Sequence, residues 1–361
     1  MMLQKAHTVP TKESAPPQRI INYDILRVVA CFSIVLLHVS GGCLSDVSMN
    51  SNEFLVMMSL DSLTRFAVPV FFMLSGLFLV SPDKKNIALE KRILKLVLLF
   101  YVWSAFYGFQ GIIIDALTGE FTKEFLIESI GRFISGHLHM WFLKTLLGFY
   151  ILIPIAQQIC ASKQCLQYYL LLWVIFQFSV PCLTDLFHLQ TAQSQINSLN
   201  LDILAGNFGY FLLGYYLNTT DIKKEIRRIL YALGLIAAYL TIHLSIRDSI
   251  AAGACVEKWF GPGSPNVLAM SIAIFTFFKY CKAFNSVKNP HLWEKLSGCT
   301  FFIYMFHLFV LEKLSLIGIT PLSFPVAISI PVLTVFTFTV SLLSGVVTEH
   351  IPIIRKIVLF H

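Results

Sequence analysis

Two ionisable side chains, Arg27 and His38, sit eleven residues apart inside one long apolar run, INYDILRVVACFSIVLLHVSG. At about 100° per residue, eleven steps return a helix to within about 20° of its starting face, with a rise of about 16 Å. The guanidinium and the imidazole therefore share one stripe, the first near an end of the segment and the second deep in it. Inside a membrane each such side chain costs on the order of 2.5–3.5 kcal/mol on insertion scales, so two on one stripe require a reason. An imidazole offers general-base or nucleophilic chemistry, and an arginine offers a fixed charge for an anion. Asp24 falls about 40° from His38 around the helix. The plain alternative for Arg27 is a snorkelling anchor paired with Asp24 one turn before it.

Other candidates are weaker one by one. His307 lies in the middle of TFFIYMFHLFVLEKL, with Glu312 and Lys313 further outward. It could orient His38 or relay a proton, or simply bond a neighbouring carbonyl. The segment GHLHMWFLKTLLGFYILIP places His137 and His139 at the mouth of another apolar run, ahead of Trp141, with Lys144 one turn inside. His139, Trp141 and Lys144 are candidates for lining a mouth there. A solvated histidine, an aromatic-belt tryptophan and a lysine in an aqueous cavity are their ordinary counterparts. Arg65, at the outer end of its run, reads as a snorkelling anchor. The FFMLSG and FGYFLLGYY runs supply small residues that let helices approach closely. No phosphate-loop, dinucleotide or GxSxG motif is present.

The elements that must position these residues follow from composition. Of 361 residues 56% are hydrophobic and only 13% charged, about half the charged fraction of a soluble chain. Repeated apolar runs of about 20 residues define an all-α, polytopic transmembrane helical bundle. Ten spans are expected, at 20–41, 62–82, 93–115, 141–159, 166–187, 201–218, 229–246, 267–284, 298–317 and 325–348. With that assignment, 19 of the 27 Lys and Arg residues fall on the side of the N-terminus and 4 on the other. The bias predicts that both termini are cytoplasmic. The net charge of +7 is then a topology signal and no nucleic-acid footprint, although the basic face suits anionic lipid or a cytosolic polyanion.

Residues 1–19, with Pro10, Pro16 and Pro17 among polar neighbours, read as a disordered cytoplasmic tail. Residues 20–350 form the membrane domain and 351–361 a cytoplasmic C-terminal tail. No short signal peptide is expected ahead of the first span. The longest loops, about 116–140 and 247–266, face outward, and no loop is long enough for a soluble domain. The eight cysteines show no metal or CxxC spacing and serve as small apolar packers, so no metal is expected. No internal repeat is visible, which argues mildly against a transporter of inverted halves. These readings leave three classes open: an enzyme, a transporter or flippase, and a non-catalytic membrane subunit.

A series of motifs separates them. Leu26-Arg27 followed by His38, then FFMLSG, HMWFL at 139–143, FLLG at 211–214 and IYMFH at 303–307 together resemble the acyltransferase-3 group of integral membrane acyltransferases. Order and spacing match from about residue 20 to 350. The chain is most similar to the bacterial branch that O-acetylates surface polysaccharides, of the enterobacterial common antigen type. The resemblance implies acetyl-CoA as donor, with no permanently bound cofactor. It implies a glycan or polyprenyl-linked glycan as acceptor, the bacterial cytoplasmic membrane as location, and essential roles for Arg27 and His38. One departure is Val28, where many members carry Gly after the Arg.

That role suits the physics. Coenzyme A is large, anionic and cytosolic, and Arg27 with the basic loop residues Lys84, Lys85 and Arg92 would bind its phosphates. Basic residues at 279–295 would assist. The pantetheine arm covers the helix rise between Arg27 and His38. There His38 acts as general base on a sugar hydroxyl or as transient acyl acceptor, with His307 as second histidine. Beyond acetyl-CoA and the glycan, membrane lipids are the expected partners, and self-association into a homo-oligomer is left open.

Overall fold

The computed structural model describes residues 20–84, 88–110, 122–199 and 206–352, with 201, 204, 355 and 358. Lys85 and the greater part of both tails lie outside the described residues. Among them the only regular elements are helices: α1 Ile21–Gly41, α2 Asn52–Thr64, α3 Ala67–Leu79, α4 Leu89–Phe109, α5 Lys123–Ser135, α6 Trp141–Ile151, α7 Ile153–Ala161, α8 Lys163–Val174, α9 Val180–Leu186, α10 Gln190–Asn197, α11 Phe208–Thr219, α12 Lys224–Ala252, α13 Pro265–Tyr280, α14 Pro290–Leu316 and α15 Val326–Glu349. Short 3-10 turns and one π-helical segment at Ile175–Ser179 complete the described helical structure. Pro181 follows that π segment. Its missing N–H and ring bulk disfavour a regular α-turn there.

Seven helical stretches among the described residues are long and apolar enough to cross a membrane, and a pair bent by 60° at Leu152 makes an eighth. The two remaining spans expected from sequence are shorter. α11 has 12 residues and α13 has 16, about 18 and 24 Å of rise against a hydrocarbon core of about 30 Å. Burial explains α11, because Phe208 to Gly214 are all enclosed by protein. The apolar run that reads as a span is there a core helix.

α1 is the hub, packing against α2, α3, α13, α14 and α15. α3 and α11 cross at close range. A Cβ on Gly76 would collide with the Phe211 carbonyl, and one on Gly214 would collide with the Met73 carbonyl. Both small-residue runs thus serve helix packing, as their sequence suggests. The stretch expected as an outward loop at 116–140 contains the amphipathic helix α5, which lies along α4 with Phe133 against Tyr101 and Phe109. Gly108 permits this, since a Cβ there would stand 2.9 Å from the Ser129 carbonyl oxygen. After α5 the chain makes a 3-10 turn, Leu138–Met140, before α6. That turn delivers His137 and His139 to the bundle interior.

Candidate active site

The Arg27 end of the α1 stripe opens on a cavity of about 310 Å³. Arg27 stands at one end, and its Nη1 donates to the Ser297 hydroxyl of α14 at 3.2 Å. Its guanidinium lies 5.4 Å from the Phe78 ring centroid. Ile34, Phe71, Phe142 and Tyr304 line the same space. Ile34 is one turn before His38 and Tyr304 one turn before His307, so the cavity leads from the arginine towards both histidines. Tyr150 also lines it, within Coulombic range of Arg27 and Arg92.

The His38 end is a cage of imidazoles. The rings of His38 and His307 have centroids 5.1 Å apart, and His139 stands 5.7 Å from His307. His137 Nδ1 meets His139 Nδ1 at 2.9 Å, and His137 Nε2 meets a Glu312 carboxylate oxygen at 2.9 Å. Gln110 donates to the other Glu312 oxygen at 2.9 Å. His307 is fully buried, and its Nδ1 donates to the Tyr304 carbonyl at 2.6 Å, so its Nε2 carries the lone pair. This is the arrangement of a base oriented through its far nitrogen. His38 is only half-buried and faces His307.

Aromatic residues hold the cage. Tyr107 of α4 stacks on His137 at 4.3 Å, and its hydroxyl spans the Met305 carbonyl and the Phe309 amide, at 2.7 and 3.2 Å. Those two groups are i and i+4 partners of α14, so the tyrosine ties α4 into the helix turn that carries His307. The Tyr304 hydroxyl donates to the His139 carbonyl. On the other side of His38, Arg65 pairs with fully buried Asp61 at 2.8 and 2.5 Å and covers the Phe260 ring at 3.8 Å. Arg65 is thus a buried-side partner and not the free snorkelling anchor expected from its position. Among the described residues no three His, Cys, Asp or Glu side chains stand so as to hold a metal ion.

The expected site residues divide accordingly. Arg27 lines the inner cavity, and His38, His307 and His139 come together. Trp141 and Lys144 do not join them. Both are exposed on α6, where Lys144 donates to the Ser135 carbonyl at 3.2 Å and Trp141 meets Phe72 edge-on. The helix turns Phe142 and Leu143 inward instead. Lys84 donates to the Phe78 carbonyl at 2.6 Å, capping the end of α3. Burial, then the charge of Arg92, holds its ammonium below the ordinary lysine range. Lys279, in the second basic stretch, spends its amine on the carbonyls of Leu217, Asn218 and Thr220 at the end of α11.

Sequence reasoning assigned no role to His137, Glu312, Tyr107, Gln110 or Ser297. Glu312 is five residues beyond His307, about 140° around the helix, so no local geometry pairs them. The HLH spacing at 137–139 is the one signal available: two residues apart, the imidazoles would fall about 160° apart on an α-helix, so only a departure from helix before Leu138 brings them together.

No curated protein and no solved structure gives a significant match. Residues 20–346, nine-tenths of the chain, match the acyltransferase domain of the acyltransferase-3 type. The match contains the Arg27 cavity and every histidine of the cage, and the protein that houses them is a multi-pass membrane acyltransferase of that family.

Proposed function

We propose that the protein O-acetylates a hydroxyl of a surface polysaccharide or of its lipid-linked precursor, taking the acetyl group from cytosolic acetyl-CoA. The termini and Arg27 then lie on the cytoplasmic side of a bacterial inner membrane. The supporting observation is the cavity that runs from Arg27 to the residues one turn below His38 and His307. Arg27 and Arg92 face the phosphates of the donor by charge-assisted contacts, and the pantetheine arm occupies the apolar cavity. The hydroxyl oxygen forms its bond to the thioester carbonyl carbon as the carbon–sulfur bond breaks. The hydroxyl proton passes to the histidine pair and from there to the departing thiolate. His38, the half-buried member, acts as general base or as transient acyl acceptor. His307, buried and oriented by the Tyr304 carbonyl, is its proton partner.

The test uses inverted inner-membrane vesicles with acetyl-CoA labelled in the acetyl group. Label should enter the glycolipid and polysaccharide fraction with wild type and vanish with His38→Ala at equal protein level. Failure of wild type to transfer label from any acyl-CoA to any glycan acceptor would overturn the reading. Sugar-lipid flipping by the same protein would then replace it.

A further inference from the structure

The chain Glu312–His137–His139 ends on a buried nitrogen that has no hydrogen-bond partner among the described residues, and for neutral imidazoles the tautomers along it follow from the donors and acceptors. An ionised carboxylate only accepts, so His137 Nε2, 2.9 Å from Glu312, carries the hydrogen. A neutral imidazole has one N–H, which leaves His137 Nδ1 bare. His139 Nδ1, 2.9 Å away, must then supply the hydrogen between them. His139 Nε2 is left as a lone pair, and it is the atom without a partner. The Met305 carbonyl, which accepts from the Tyr107 hydroxyl, also stands beside His139 and has a second lone pair to offer.

His307 reaches the same state by a separate route. Its Nδ1–H is held by the Tyr304 carbonyl, and its Nε2 is likewise buried and unpartnered. Two bare acceptor nitrogens thus sit on rings 5.7 Å apart, with the His38 ring 5.1 Å from His307. An unsatisfied buried polar atom is costly, and two together fit a site that takes a hydrogen-bond donor arriving with substrate.

We propose that Glu312 and His137 are positioning residues for acyl transfer: their hydrogen bonds keep His139 Nε2 bare towards the His38–His307 pair, and the Glu312 carboxylate stabilises the proton that the histidines hold in transit. This rests on the acyltransferase reading above. The proton leaves the acceptor hydroxyl as the ester bond forms, resides on the histidine cluster, and protonates the thiolate sulfur when the carbon–sulfur bond has broken. Atoms and charge balance with no further reactant. While the cluster is cationic, the carboxylate of Glu312 is joined to it through two imidazoles.

Other charges face the same cluster. α14 contributes Lys313, which lies over the Phe309 ring, and α5 contributes Arg132, already paired with Glu128 at 2.6 Å. Both line an outer cavity of about 390 Å³ together with Glu312, Tyr107 and Gln110. α2 contributes the Arg65–Asp61 pair, with Arg65 within Coulombic range of His38. Glu312 is therefore the carboxylate hydrogen-bonded to the histidine chain, opposed by cations whose own partners hold them in place.

The sign of the effect follows. An anion favours the protonated cluster, and transfer requires the neutral one, so activity falls as pH drops through the cluster's titration. Removing the anion makes the cluster harder to protonate. Purified Glu312→Gln should therefore show kcat lower by about 10²-fold, an unchanged KM for acetyl-CoA, and an acid limb moved to lower pH by about one unit. Glu312→Asp should recover part of both. A second readout needs no activity. Nitrogen-15 NMR of histidine-labelled protein in bilayers should find His137 protonated at Nε2 and His139 at Nδ1, with the pattern lost in Glu312→Gln. An unshifted acid limb in Glu312→Gln, whatever its rate, or the opposite tautomers in wild type, overturns the proposal. A wild-type protein with no transfer, yet with these tautomers, instead overturns only the acyltransfer role.

Discussion

The two ends of α1 are built in opposite ways. At Arg27 the helix borders an opening: the guanidinium is half-buried, donates to the Ser297 hydroxyl, lies over the Phe78 ring and looks into a cavity of about 310 Å³. At His38 the helix meets a closed cage, in which His307 is fully buried and His139 is 1% exposed. The first end suits a large charged ligand that must enter and leave. The second suits a proton that must be held away from water. One helix thus separates binding from chemistry by about 16 Å of rise, and substitutions at its two ends should fail differently.

The largest effect belongs to the cage. His38→Ala and His307→Ala should each lower kcat by about 10³-fold and leave KM for acetyl-CoA near wild type, because each removes a proton acceptor and no donor contact. A pure KM defect in either would break the comparison. At the open end the pattern reverses. Arg27→Gln loses a charge-assisted contact worth about 1.5–3 kcal/mol, so KM for acetyl-CoA should rise about 10- to 100-fold with kcat changed little. Titrating initial rate against acetyl-CoA separates the two cases. A smaller effect is expected where the cage is merely braced. Tyr107→Phe removes the hydroxyl that ties α4 to Met305 and Phe309. It should cost about 1 kcal/mol of thermal stability and a few-fold in kcat. A variant as stable and active as wild type would show that the brace is idle.

The comparison also explains what could be read from the sequence. Arg27 and His38 share a helix, and the 3.6-residue period places them without any knowledge of neighbours. The helical class and the close-packing role of Gly76 and Gly214 are legible for the same local reason. The cage is not local. His139 and Glu312 are 173 residues apart, and only the packing of α4, α5 and α14 brings them into one chain of hydrogen bonds. Span counting meets a related limit. Hydropathy cannot tell a helix that lipid surrounds from one that protein surrounds, and α11 is of the second kind. The basic residues show the same limit from the polar side. Lys84 and Lys279 look like phosphate ligands by charge, but each amine is committed to backbone carbonyls at a helix end.

Trp141 and Lys144 give the smallest effect and the finest test of the comparison. Their spacing beside His139 suggests an acceptor's mouth, yet α6 begins at Trp141 and its first turn rotates both side chains away from the cage. Lys144 reaches only the Ser135 carbonyl, and Trp141 keeps 38% of its surface exposed. Substitutions on such a face usually stay within about 0.5 kcal/mol, a factor of roughly two. Trp141→Ala and Lys144→Ala should therefore leave kcat and the acceptor KM within about twofold, while His139→Ala, two residues from Trp141, lowers kcat as the other cage residues do. The decisive quantity is the acceptor KM of Lys144→Ala. A tenfold rise would place the glycan on the outer face of α6 and move the acceptor path outside the cage. An unchanged value leaves the neighbourhood of His38 as the place where hydroxyl and thioester meet.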